Sequence, residues 1–220
     1  MSKRKQQGFT LIEIAIVLVI IGLLLGGILQ GQSLINSARV RNLISQEDGI
    51  KAAFYGFQDR YRALPGDFTQ ATTQIPGATQ NGNGNGQIEL ANGEYIAVWD
   101  HLSHAGFITG TYVYNATESS STTPTNPWNA FYQLAYDNNY DPTATATTRH
   151  NLKIGNQIPV EIIAEVDRKI DDGKANAGVM RFSAYADGGT APVAGNCYDT
   201  TNGIWSAGNG QANCGAAILF

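Results

Sequence analysis

The chain has 220 residues, room for one core-bearing domain but not comfortably for two. Charged residues make up 15%, well under the ~25% of ordinary soluble domains, and 25 glycines point to a loop-rich surface of neutral polar groups. A net charge of −4 argues against a nucleic-acid binder held by phosphate attraction.

Lys3, Arg4 and Lys5 cluster at the start. From Phe9 to Leu29 the chain reads FTLIEIAIVLVIIGLLLGGIL, with Glu13 as its one charge. As a helix this stretch spans roughly 31 Å, about one bilayer core. The basic cluster ahead of it predicts a cytoplasmic amino terminus and an exported remainder. A secretory signal peptide has the same order of parts, but its apolar region is shorter and ends in a small-x-small cleavage site that is missing here. A retained anchor is the better reading. Glu13 does not suit a plain anchor, because a charged group in the apolar core costs about 2.5–3.5 kcal/mol. Either it snorkels to the interface or it meets a partner cation. The span holds no cation, so a cut nearby would have to expose a new amino terminus.

Gly8-Phe9-Thr10-Leu11-Ile12-Glu13, after a short basic leader and before an apolar helix, resembles the type IV pilin and type II secretion pseudopilin signal. The resemblance implies that a prepilin peptidase cuts between Gly8 and Phe9 and methylates the Phe9 amine. It also implies that Glu13 pairs with the amino terminus of a neighbouring subunit. Many pilins carry a proline near mature residue 22; here that position is Gln30, flanked by Gly26, Gly27 and Gly31, which loosen a helix in another way. Leu64-Pro65-Gly66-Asp67, the Asn-Gly run, Trp99-Asp100-His101-Leu102 and Asp171-Asp172-Gly173-Lys174 are similar to a subgroup of proteobacterial prepilin-like proteins.

The helix is expected to continue beyond the span. Val40, Leu43, Ile50, Phe54, Phe57, Tyr61 and Leu64 follow steps of three and four, interrupted by Glu47. Pro65-Gly66-Asp67 is expected to end it. The resulting organisation is a leader (1–8), a transmembrane and assembly half-helix (9–30), an amphipathic half-helix (31–64) and a periplasmic head (65–220). The expected fold is α+β: the pilin-like ladle, with a long N-terminal helix packed on a small antiparallel sheet and a C-terminal disulfide loop.

Within the head, residues 115–127 and 141–148 read as loops by composition. Trp128–Tyr136 and Val179–Tyr185 read as strands. Ile158, Ile162, Val166 and Ile170 recur every four residues and predict a helix over 158–170. Cys197 and Cys214 stand in a domain expected in an oxidising space, where pairing is the default and two free thiols the alternative. The pilin resemblance also implies the disulfide.

Asn81-Gly82-Asn83-Gly84-Asn85-Gly86 has the oxygen spacing of a calcium loop, but Asn81, Asn83 and Asn85 are neutral and Asn92 stands where a glutamate belongs. A flexible turn is the expectation, with calcium held by Asn81, Asn83 and Asn85 as the alternative, and no other cofactor is expected. Asp171 and Asp172 are further oxygen donors, expected to cap a turn before Gly173. His101 and His104 are three apart and are expected to be an ordinary surface pair, since nothing nearby completes a metal set. No catalytic motif is present: no G-x-S-x-G, no phosphate-cradling glycine loop and no H-E-x-x-H. The expected function is a structural filament subunit, not an enzyme. Its expected partners are prepilin peptidase, other pilin or pseudopilin subunits and an inner-membrane assembly platform, without nucleic acid. The alternative is a membrane-anchored periplasmic binding module that does not polymerise.

Overall fold

The computed structural model describes residues 10–141 and 145–220. They fall into two compact units, one ending at Arg39 and the other running from Val40 to Phe220.

Helix α1 (Leu11–Tyr61) supplies the first unit. Up to Ile35 its large apolar side chains are exposed on every face, among them Leu11, Leu18, Leu23 and Leu29. This helix is long and apolar enough to cross a membrane, and none of its apolar window is buried within the chain. Such a surface needs lipid or other helices to cover it.

In the second unit α1 becomes amphipathic. Val40, Leu43, Glu47, Ile50, Ala53, Phe54 and Phe57 are its buried face, spaced by threes and fours. Glu47 is part of that face, 2% exposed, and pairs with Lys51 one turn on. The helix stops at Tyr61, before the predicted end at Leu64. Arg62 turns left-handed (φ +52°), and the chain has left the helix before Pro65 can act.

Among the described residues, four antiparallel strands form a sheet in the order β1-β2-β4-β3. They are β1 (Gln133–Asp137), β2 (Arg149–Lys153), β3 (Met180–Phe182) and β4 (Ala216–Leu219). Gln133 pairs with Lys153, and Asp137 with Arg149; β4 joins β2 through Leu152↔Ile218 and β3 through Met180↔Ile218. Leu134, Leu152, Met180, Phe182 and Ile218 join Leu43, Phe57, Trp99 and Ile163 in one core. The remaining helices are α2 (Ala71–Gln74), α3 (Glu94–His104), α4 (Val160–Ile170) and α5 (Ala194–Cys197).

The predicted helix at 158–170 is α4. Pro159, with φ −58°, leads into it, while Ile158 forms a bridge with Cys214 instead. The strand predicted from Trp128 starts only at Gln133. Residues 126–130 make a turn in which Asn126 Oδ1 accepts the Trp128 and Ala130 amides at 2.8 and 3.1 Å. The strand predicted over 179–185 shortens to β3, and the Ser183 hydroxyl accepts the Tyr185 amide at 3.2 Å. Cys197 and Cys214 form a disulfide that ties the end of α5 to the chain just before β4. The fold is α+β, with a long apolar N-terminal helix, a small antiparallel sheet and a C-terminal disulfide.

Candidate functional site

Gly8 and Phe9 lie outside the described residues. The first described contacts of the chain belong to a capping box. Thr10 Oγ1 accepts the Glu13 amide at 3.3 Å, and the Glu13 carboxylate reaches back to the Thr10 amide at 2.7 Å and the Thr10 hydroxyl at 2.8 Å. Thr10-Leu11-Ile12-Glu13 is the Thr-x-x-Glu pattern of such a cap, a signal present in the sequence itself. In the single chain, then, Glu13 Oε2 satisfies the helix start, and its carboxylate stands at the head of an apolar rod.

Residues 3–29 match the family model described as the prokaryotic N-terminal methylation motif. The chain carries a prepilin-type signal. It is the signal of type IV pilins and pseudopilins, and it marks the chain as the kind of substrate that prepilin peptidase processes. The prepilin signal and the apolar half of α1 together fit a protein anchored in the inner membrane. No curated protein and no solved structure matches the chain.

Beyond the prepilin signal, the structure locates each remaining candidate. Asn81, Asn83 and Asn85 each have a partner within the protein, since each Oδ1 accepts a backbone amide: Thr72 at 2.9 Å, Asn85 at 2.9 Å and Gln87 at 2.8 Å. The loop's own amides point inward to a residue that sequence reading took only as a helix stop. Asp67, 4% exposed, receives Gly84 N–H at 2.6 Å and Asn85 N–H at 3.1 Å on Oδ1, and Gly86 N–H at 2.8 Å on Oδ2. Glu94 takes the Asn83 and Glu89 amides at 3.0 and 2.9 Å; burial holds its carboxyl above the usual range. The Asn-Gly run is therefore a backbone cradle for two acids.

The two histidines are not a surface pair. His101 is fully buried; its Nδ1 accepts the Gly66 amide at 2.8 Å, and its Nε2 lies 2.8 Å from the Gln80 carbonyl. Those partners assign the proton to Nε2, and burial lowers the ring's pKa. His104 Nδ1 sits 2.8 Å from Asp100 Oδ1. With both rings committed to separate local partners, the pair is structural.

Asp167, Asp171 and Asp172 can bring one carboxylate oxygen each within 4.8 Å of the others, the arrangement among the described residues that could share a cation. Each also has a protein partner: Asp167 Oδ2 accepts Trp205 Nε1–H at 2.5 Å, Asp171 Oδ2 accepts the Met180 amide at 2.8 Å, and Asp172 Oδ1 accepts the Lys174 amide at 2.9 Å. Asp172 thus caps the turn at Gly173 as expected, whereas Asp171 reaches across to the start of β3 instead. A cleft of about 430 Å³ opens beside α1, lined in part by Gln46, Phe107, Tyr112 and Tyr132, and its walls contain no carboxylate, imidazole or thiol.

Sequence reading missed a second polar cluster, on one face of the sheet. Lys153 is fully buried, and its Nζ lies 2.6 Å from Asp137 Oδ2. Burial pushes the Lys153 ammonium down. Burial also acts to raise the Asp137 carboxyl, but the Lys153 charge and its hydrogen bonds outweigh that and hold it below its ordinary value. Nearby, Glu118 accepts the Tyr185 hydroxyl at 3.3 Å, and burial raises its pKa to about 7. Charged side chains at strand positions gave no signal for this cluster, because period-2 reading treats them as solvent-facing.

Proposed function

We propose that the protein is a structural subunit, pilin or pseudopilin, of a type IV pilus-like or type II secretion filament. The observation that carries this reading is the prepilin signal leading into an apolar helix that none of the described residues covers. The protein is inserted in the inner membrane with its amino terminus cytoplasmic and its head periplasmic. Prepilin peptidase cuts between Gly8 and Phe9, and the Phe9 amine is methylated. Cutting there leaves the apolar rod on the mature chain and creates an ammonium. In a filament the rods pack on one another, and Glu13 exchanges its capping partners for the amino terminus of a neighbouring copy. Two opposite charges in an apolar setting set the register between helices more than they add net stability. An inner-membrane assembly platform supplies the subunits, and no catalytic step is assigned to the head.

The test has two arms. Co-expression with a prepilin peptidase should yield a chain that begins at Phe9 and is one methyl heavier. Glu13→Ala should be processed normally but left out of sheared filaments. A product cut downstream of Leu29 would overturn the reading. Glu13→Ala that assembles like wild type would overturn the pairing, and a processed chain that never enters filaments would favour a tethered, non-polymerising module.

A further inference from the structure

We propose that the folded chain joins Lys153 to Asp137 by an amide bond between Nζ and Cγ. The two side chains belong to neighbouring strands, but they are not register partners. Lys153 stands opposite Gln133, and Asp137 lies at the far end of β1, opposite Arg149. The lysine stem therefore runs along the sheet face to reach the carboxyl, with Nζ 2.6 Å from Oδ2. That contact places Nζ roughly 3–3.5 Å from Cγ, the separation of a near-attack pair.

Three features favour condensation over a lasting ion pair. First, Lys153 is fully buried, and among the described residues its ammonium has one hydrogen-bond acceptor for three N–H groups. A buried ammonium so poorly satisfied is costly to keep, and condensation removes both charges of the pair at once. Second, the other carboxyl oxygen is already held. Asp137 Oδ1 accepts Asn151 Nδ2 at 3.0 Å and the Asn139 amide at 3.0 Å. Charge that builds on Oδ1 during attack meets two fixed donors. Third, the amine side is dry while the leaving side is open. The Tyr185 ring lies 6.0 Å from Nζ, whereas the Asp137 side chain is 12% exposed and gives released water a way out.

The step balances without an oxidant or a co-reactant. The Lys153 ammonium and the Asp137 carboxylate become one amide and one water. Nζ gives a proton to Oδ2 and attacks Cγ; the Cγ–Oδ2 bond breaks, and Oδ2 leaves as water with that proton and a second one from Nζ. Holding the reactants in place replaces the high concentration that such a reaction needs in solution. The product would staple the end of β1 to β2, closing the segment that carries residues 138–152.

Intact mass of the full chain, denatured and with its disulfide reduced, tests this. The expected mass is 18 Da below that calculated for the observed amino terminus, with a branched peptide joining Asp137 to Lys153 after proteolysis. Lys153→Met should restore the full calculated mass. Wild-type protein at the full mass, with the Lys153 amine open to acetylation after unfolding, would overturn the proposal. So would an 18 Da loss that maps elsewhere, such as a succinimide at Asp172-Gly173.

Discussion

Asp67 Oδ1 accepts the Gly84 amide at 2.6 Å, and this contact fixes a loop that composition alone would leave free. Two more amides, from Asn85 and Gly86, complete a nest around the same carboxylate. A buried carboxylate is tolerated because donors surround it, and a loop rich in glycine is ordered because its donors share one acceptor.

Asp67→Ala should therefore cost about 2–3 kcal/mol, since several amides lose a charged acceptor at once. Urea unfolding monitored by near-UV circular dichroism measures it. A midpoint unchanged from wild type would show that the nest is not holding the loop.

Two glycines of the same loop should respond differently to alanine. A Cβ on Gly82 would fall 2.2 Å from the Asp67 carbonyl carbon and 2.4 Å from the Gly66 carbonyl oxygen, both backbone atoms that cannot swing aside. Gly86 has φ +81° and open space around it. Gly86→Ala should cost about 1 kcal/mol, the left-handed penalty alone. Gly82→Ala should cost clearly more, because the clash pulls the loop off Asp67. Thermal melts of the two variants side by side give the order, and the reverse order would reject the steric argument.

What the sequence made legible follows from signal length. The apolar run, the stripe from Val40 to Phe57 and the α4 helix each repeat over several turns, and each is present. β2 and β4 are strands of five and four residues, too short to carry a period of their own. Arg149-His150-Asn151-Leu152-Lys153 looks solvated, yet Asn151 and Lys153 are fully buried because Asp137 waits on the next strand. His101 is the same lesson on a helix: its partners, Gly66 and Gln80, lie far back in the chain. Local periodicity does not encode such pairings. The prepilin signal was legible because its chemistry is local, one leader, one cut and one helix.

Removing the disulfide with Cys197→Ser and Cys214→Ser should cost roughly 3 kcal/mol, the loop-closure value for a loop of this size. The bond closes a sequence separation of 17 residues around Trp205. Trp205 donates to the buried Asp167, so its fluorescence should report the loosening before global unfolding. A melt by tryptophan fluorescence that coincides with wild type would show that the surrounding contacts suffice without the bond.

Glu118 should make the head less stable as pH rises from mildly acidic values to neutrality. Its folded pKa, raised to about 7 from 4.5, belongs to a carboxyl that burial keeps neutral. The Tyr185 hydroxyl opposes that rise, as does Lys153 for as long as its amine is free and charged, while Asp187 adds to it; Tyr95 shares the same surroundings. Between pH 4.5 and 7 the unfolded chain releases this proton more readily than the folded one, so stability falls as pH rises across that window. With solvent screening of a partly exposed group taken into account, the loss is about 1–2 kcal/mol. Glu118→Gln, which cannot ionise, should flatten the pH dependence and be more stable than wild type at pH 8. Asp167, raised to about 6 by burial, contributes a smaller fall of the same sign that the variant retains. Denaturation midpoints at pH 5 and pH 8 measure the effect. A Glu118→Gln variant that loses stability at pH 8 would mean the charged carboxylate is the form the fold requires.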